Sequence, residues 1–152
     1  MATPSASPEP QHSALHDRVR ASFERQGMLL QLGVRLIEVG PGSCDLELPY
    51  SDKVTQQQGG FHGGAMGALA DVAGVYAALT VAPEGMEVTT VEYKINFLAA
   101  LRGGRLLAKG QVLRAGRRII VTTALVIHVD DQGKHSDCAV MQQTLVPVPK
   151  TY

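Results

Sequence analysis

Cysteine, net charge and long apolar runs are all scarce in this 152-residue chain, and each shortage removes a class of function. Cys44 and Cys138 are too few and too far apart for a disulfide framework or a zinc site. Both fall in strand-like runs, so they read as buried free thiols of a reducing cytosol. Basic and acidic residues balance at 14 each and the sequence pI is near 7.0, so no overall field draws the protein to nucleic acid or an anionic membrane. No apolar run reaches the roughly 18 residues of a membrane span. The opening MATPSASPEPQHS lacks the basic start and apolar middle of a signal peptide. A soluble, cytoplasmic protein with no membrane or nucleic-acid partner is expected. Also missing are a Walker loop, a GxGxxG after a strand, a GxSxG elbow and HExxH, so the common nucleotide, hydrolase-elbow and zinc chemistries lose support. No metal or organic cofactor is expected.

Glycine, by contrast, is concentrated in one informative stretch. Residues 56–79, QQQGGFHGGAMGALADVAGVYAAL, read as a glycine-rich loop running into one long apolar helix with a single acid, Asp71. At 3.6 residues per turn Ala65, Leu69, Val72, Tyr76 and Leu79 share the larger apolar face, which should pack on a sheet. Asp71 lies on a different face, whose neighbours Gly64, Gly67, Ala68, Gly74, Val75 and Ala78 are nearly all small. A glycine inside a helix costs about 1 kcal/mol relative to alanine, so Gly67 and Gly74 call for close approach by a backbone or a ligand. The helix opens at His62-Gly63-Gly64, where the first N–H groups lack internal partners and attract negative charge. Glycines there leave a developing oxyanion unobstructed, and one good donor is worth roughly 100- to 1,000-fold in rate. Carbonyl chemistry is therefore suggested. Gly63 and Asp71 are separated by about 12 Å along a helix that rises 1.5 Å per residue, too far to act on one carbonyl. Two antiparallel helices from two chains would bring the N-terminus of one to Asp71 of the other, which predicts an active site at a dimer interface. The plainer alternative is a tight Gly-Gly turn and a buried acid bonded to a neighbouring loop, with His62 a cap or packing residue.

The rest of the chain frames this helix. Residues 1–12, rich in proline, serine and alanine, are expected to be a disordered tail, followed by one domain over 13–152. Ser13 is read as the cap of a helix over about 14–26 that Gly27 ends, packing on the outside or lidding a pocket. Val34–Val39 and Cys44–Leu48 read as a hairpin joined by residues 40–43. Four strands should follow the long helix, at about 86–98, 105–115, 118–129 and 134–146, with short connections that make neighbours antiparallel. In the first, Val91, Tyr93, Ile95 and Phe97 alternate with Thr90, Glu92, Lys94 and Asn96, the pattern of a strand with one buried face. The fold class is therefore α+β, an antiparallel sheet of about six strands wrapped around one long central helix. Of the histidines only His62 sits near another candidate group, while His128 and His135 flank a turn and should face solvent. Arg114, Arg117 and Arg118 cluster at one turn and serve either to grip phosphates or to keep the turn soluble.

With these elements placed, HGGAMGALAD at 62–71, TTVEYKINFLA at 89–99 and the AGR turn at 115–117 resemble the hotdog-fold acyl-CoA thioesterases of the phenylacetate-degradation (PaaI-like) type. The resemblance covers about residues 30–147 and implies roles residue by residue. Asp71 would be general base or nucleophile, and the N–H of Gly63 or Gly64 would polarise the thioester carbonyl. Hotdog dimers, usually paired into homotetramers, would supply the two groups from different subunits. Gln56 stands where the family often has an asparagine, an amide able to hold water or the carbonyl. Thr90 matches a serine or threonine that orients the attacking water; periodicity puts Thr90 on the polar face, so Thr89 stays an alternative. The family's usual proline at the end of that strand is replaced by Ala100-Leu101. Coenzyme A would lie along the subunit surface with Arg117 or Arg118 at its phosphates. Its acyl chain would run between helix and sheet against Met66, Val75 and Phe97, so an apolar acyl group, medium to long or aromatic, is expected. Apolar surroundings should raise the pKa of Asp71 toward the working pH. Two rival classes are a non-catalytic acyl-CoA-binding hotdog protein and a hotdog hydratase or dehydratase; the latter normally places a catalytic histidine with an acid in a different arrangement.

Overall fold

Alternation of apolar residues gives the strands one inward face, for example Cys44, Leu46 and Leu48 on one and Ile120, Ala124 and Val126 on another, all buried. In the computed structural model, which describes residues 10–152, that face curls around one long helix. The elements run α1 (Pro10–Phe23), α2 (Gly27–Leu32), β1 (Arg35–Gly40), β2 (Ser43–Pro49), α3 (Gly63–Leu79), β3 (Met86–Phe97), β4 (Arg105–Ala115), β5 (Ile120–Val129) and β6 (His135–Pro149). The six strands form one antiparallel sheet in the order β1-β2-β4-β5-β6-β3. Among the described residues no helix is long and apolar enough to cross a membrane.

Two glycines let α3 lie directly on the sheet. A Cβ on Gly110 of β4 would come within 2.2 Å of the Ala73 carbonyl oxygen, so only glycine admits the helix backbone there. A Cβ on Gly74 would fall 1.9 Å from Gln143 Oε1 and 2.6 Å from Thr122 Oγ1. The reason for Gly74 is thus two side chains of the sheet rather than a backbone or a ligand. Gly67 differs, because the nearest atom to a Cβ there is the Tyr93 hydroxyl at 3.8 Å, an ordinary contact.

The structure departs from the sequence expectations at several places, each with a local cause. β3 and β4 are consecutive but not neighbours: residues 98–104 carry the chain from the β3 edge across to β4, which pairs with β2 instead. On the way the Leu101 carbonyl accepts from Phe61 N–H at 2.8 Å, tying the crossover to the segment that leads into α3. The apolar face of β3 is not buried either. Val91, Tyr93 and Phe97 are exposed because β3 is an edge strand that the other described residues cover only in part, with Ile95 half-buried against the core. A bulge between Thr90 and Glu92 inverts the alternation, so Thr90 joins Tyr93 and Phe97 on the α3 side while Thr89 is exposed.

Smaller corrections follow the same logic. α1 begins at Pro10, ahead of Ser13; the rest of the expected tail, residues 1–9, lies outside the described residues. Gly27 opens a second short helix, α2, which Gly33 closes in the left-handed conformation. α1 packs with Phe23 edge-on to the Tyr76 ring, while Arg18 donates to the carbonyls of Ala82, Pro83 and Met86 and so clamps the turn after α3. His128 is buried rather than solvent-facing, its Nε2 within 2.9 Å of the Gly103 carbonyl and its ring edge-on to Phe61. Cys44 and Cys138 are buried free thiols, pushed up by burial to about 12 and about 11, so neither is poised as a thiolate.

Candidate active site

The start of α3 is built by the loop before it. His62 N–H donates to the Val54 carbonyl at 2.7 Å, and the His62 ring turns back so that Nδ1 accepts from Gly64 N–H at 2.8 Å. His62 is therefore the N-cap of α3. This occupies the Gly64 N–H; among the described residues nothing accepts from the Gly63 N–H, which is left as the unpaired donor at the helix start. Gly63 faces the Phe97 ring, which a Cβ would approach to 3.3 Å. A pocket of about 400 Å³ opens beside it, lined by Gln56, Phe61, Gly63, Met66, Phe97 and the start of the crossover, Leu98 to Ala100. The Gln56 side-chain oxygen accepts from Gln58 N–H, so its amide NH₂ is the end left for a ligand.

Successive turns of α3 face β3 in register. Gly63 lies against Phe97, Gly67 opposite Tyr93, and Asp71 against Thr90. Asp71 Oδ1 accepts from Thr90 Oγ1 at 2.7 Å and from Gln143 Nε2 at 2.8 Å. The same Gln143 amide reaches the Asp71 carbonyl at 3.2 Å and Thr90 Oγ1 at 3.3 Å, closing a small network among α3, β3 and β6. The Asp71 carboxyl is held above the usual carboxylate range chiefly by desolvation, against which the bonds from Thr90 and Gln143 act. Such a carboxylate is a stronger base than one in water, and its second oxygen, Oδ2, has no partner among the described residues.

Gln143 escaped the sequence reading, although a signal existed. It occupies an inward position of β6 between Met141 and Leu145, and a lone amide in an apolar register is unusual. Its Oε1 and the Thr122 hydroxyl beside it are buried without hydrogen-bond partners among the described residues. A buried orphan of this kind costs about 1–3 kcal/mol, so some other advantage must retain it.

The remaining candidates divide by location. Gln56, Gly63, Met66 and Phe97 meet at the helix start, and Asp71 and Thr90 meet two turns further along. Val75 is half-buried against the core, one turn beyond Asp71, and does not line that pocket. Arg117 and Arg118 are exposed on the β4–β5 turn, at the end of the sheet that carries Thr90. Within one chain the helix start and Asp71 do not converge, since two turns of α3 separate them. Among the described residues no three His, Cys, Asp or Glu side chains gather as a metal site would need.

Comparison with known proteins decides the family. Residues 58–134, just over half the chain, match the model of the Thioesterase superfamily. The chain belongs to that superfamily. Its hotdog sheet superposes on a thioesterase family protein of Silicibacter pomeroyi with a TM-score of 0.86 at 35% identity, covering 90% of this chain and 99% of that one. The PaaI protein of the E. coli phenylacetic acid degradation operon shares the fold, with a TM-score of 0.81 at 21% identity over 93% of this chain and 98% of that one. A candidate esterase of Saccharolobus solfataricus is 39% identical over 90 residues, which is 59% of this chain and 64% of that protein. The matched stretch thus spans somewhat less than two thirds of that relative. Within the superfamily segment lie the HGG start of α3, Asp71 and Thr90.

Proposed function

We propose that this superfamily member hydrolyses the thioester of an apolar acyl-CoA, medium to long or aromatic, to the free acid and coenzyme A. The observation that carries the proposal is the Asp71 carboxylate, desolvated, fixed through one oxygen by Thr90 and Gln143, and open at the other. A thioester is electrophilic and leaves as a stable thiolate, so water, a base and an oxyanion donor are enough. Asp71 takes a proton from water, the water oxygen bonds the carbonyl carbon, and the Gly63 N–H stabilises the oxyanion. The C–S bond then breaks, and the leaving thiolate takes the proton from Asp71, which restores the base. In this scheme Thr90 orders the base that activates the water, and Gln56 offers its NH₂ to the carbonyl. Because Gly63 and Asp71 of one chain lie too far apart, each site takes Gly63 from one subunit and Asp71 from its partner. The exposed apolar edge of β3 supports this arrangement as the joining surface of a homodimer, two of which would pair into a tetramer. The acyl group would occupy the pocket at Met66 and Phe97, continuing toward Val75, and Arg117 or Arg118 would meet the CoA phosphates. A cytoplasmic location, where acyl-CoA is found, accords with the reading.

The test is thiol release from a panel of short, medium, long and aromatic acyl-CoAs, with wild type beside Asp71→Asn. Release by wild type that falls at least 100-fold in the variant is the expected result. Silence across the panel while acyl-CoA still binds would replace hydrolysis with the non-catalytic binding protein.

A further inference from the structure

Gln143 is an expensive choice unless it does something for its neighbour. The inward positions on either side of it in β6, Met141 and Leu145, are apolar and fully buried, and an apolar side chain at 143 would remove the Oε1 orphan. Instead the chain keeps an amide that is 1% exposed, leaves its Oε1 without a partner, and has a glycine at 74 where any Cβ would strike that oxygen. The Nε2 end explains the arrangement, because it reaches Asp71 Oδ1 at 2.8 Å, the Asp71 carbonyl at 3.2 Å and Thr90 Oγ1 at 3.3 Å. Three acceptors converge on one donor group, which fixes the amide with its nitrogen toward the carboxylate.

Building on the thioesterase reading, we propose that Gln143 is the positioning residue of the site: with Thr90 it holds Asp71 by Oδ1, so that Oδ2 is the atom that takes the proton from water. An amide donor favours the ionised carboxylate and stops it rotating, so the same oxygen faces the substrate in every turnover.

Among the described residues of the chain no charged group competes for this control. On β3, Glu92 accepts from Thr144 and Lys94 donates to Asn96 on the outer face, Glu87 is engaged by Ser22 and Tyr152, and Tyr93 stands a helix turn away beside Gly67. On α3 the Tyr76 hydroxyl is bonded to Ser22 and Gln26. β5 and β6 present Thr122 and Gln143, and His128 of β5 lies at the other end of the strand against Phe61. The protonation of Asp71 is thus governed by burial and by its two donors.

The experiment compares wild type, Gln143→Met, Gln143→Glu and Thr122→Val by kcat/KM against pH and by carbon NMR titration of the Asp71 carboxyl, assigned with Asp71→Asn. Gln143→Met keeps length but removes the donor, so the Asp71 titration and the acidic limb of the rate profile move together to higher pH. At neutral pH kcat falls at least ten-fold with KM little changed. Gln143→Glu, of the same shape, works while the pair of carboxyls holds one proton and fails on the alkaline side when the second ionises, giving a descending limb absent from wild type. Thr122→Val alters the same packing layer, leaves the donor in place and moves neither profile. Identical Asp71 titrations in wild type and both Gln143 variants would overturn the proposal, as would a descending limb in none of them. The NMR titration needs no turnover, so a protein that hydrolyses no acyl-CoA yet shows the Gln143-dependent shift would fail as a thioesterase while keeping this linkage.

Discussion

Asp71 is the residue in which stability and chemistry oppose one another. Its carboxyl is desolvated between helix and sheet, and its pKa is raised above the ordinary carboxylate range. A carboxyl with a higher pKa in the folded than in the unfolded chain binds protons more tightly when folded. Its stabilising contribution is therefore complete below the ordinary carboxylate range and is lost as pH rises through the folded pKa. Asp71→Asn keeps an oxygen that accepts from Thr90 and Gln143 but removes the buried charge. We expect it to melt higher than wild type at neutral pH, with the gap closing as pH falls, while thiol release drops at least 100-fold. Calorimetry across pH checks the first half, and a variant less stable at neutral pH would contradict it. The acid was legible in the sequence because a single carboxylate in an apolar helix among small residues has few structural uses. Gln143 offered only the weaker signal of a lone amide in an apolar register, and its role depends on which turn of α3 it meets, which is a tertiary fact. His128 misled for the same reason: a histidine beside a turn looked solvated until the Gly103 carbonyl and the Phe61 ring closed over it.

At the scale of the element, α3 was readable in length and start because its pattern is local, but not in which face meets the sheet. Tyr76 of the larger apolar face packs on Phe23 of α1, while Gly74 of the small face and Ala73 lie against the sheet. The reason for its glycines was not readable either, because it lies in the sheet, and the two interior glycines should answer oppositely to the same change. Gly74→Ala gains about 1 kcal/mol of helix propensity but drives a methyl into Gln143 Oε1 and Thr122 Oγ1, an overpacking that costs about 1–3 kcal/mol. Net destabilisation and a weakened hold on Asp71 are expected. Gly67→Ala meets only the Tyr93 hydroxyl at 3.8 Å, so it should stabilise the fold by up to about 1 kcal/mol. Denaturant midpoints of the pair measure this, and equal losses in both would contradict the packing described. β3 shows the same limit from the strand side. Its alternation located the strand, yet a single bulge at Val91 exchanged the faces beyond it and set Thr90 against Asp71, which no period-2 count reveals. Likewise the β3–β4 link has the glycines of a turn, but it spans the sheet because the strand partners were decided elsewhere.

For the molecule as a whole, the unsatisfied feature is the β3 edge. It is 12 residues long, hydrogen-bonded on one side only, and carries Val91 at 61%, Tyr93 at 46% and Phe97 at 51% exposure. A long apolar edge of this kind invites another strand, and a two-fold pairing with a second copy closes it without leading to a filament. The same two-fold would run the partner's α3 antiparallel, setting the Gly63 of each subunit near the Asp71 of the other. This geometry makes a prediction that no single variant can make. Gly63→Val, which would block the oxyanion position, and Asp71→Asn should each be inactive alone. When the two are unfolded together and refolded in equal amounts, about half of the dimers are mixed, and each mixed dimer holds one site with both groups intact and one with neither. Activity should therefore return to about a quarter of the wild-type value, with light scattering confirming a dimer or a tetramer. If Gly63 and Asp71 of the same chain formed the site, mixing would restore nothing, because every site in every dimer would carry one lesion.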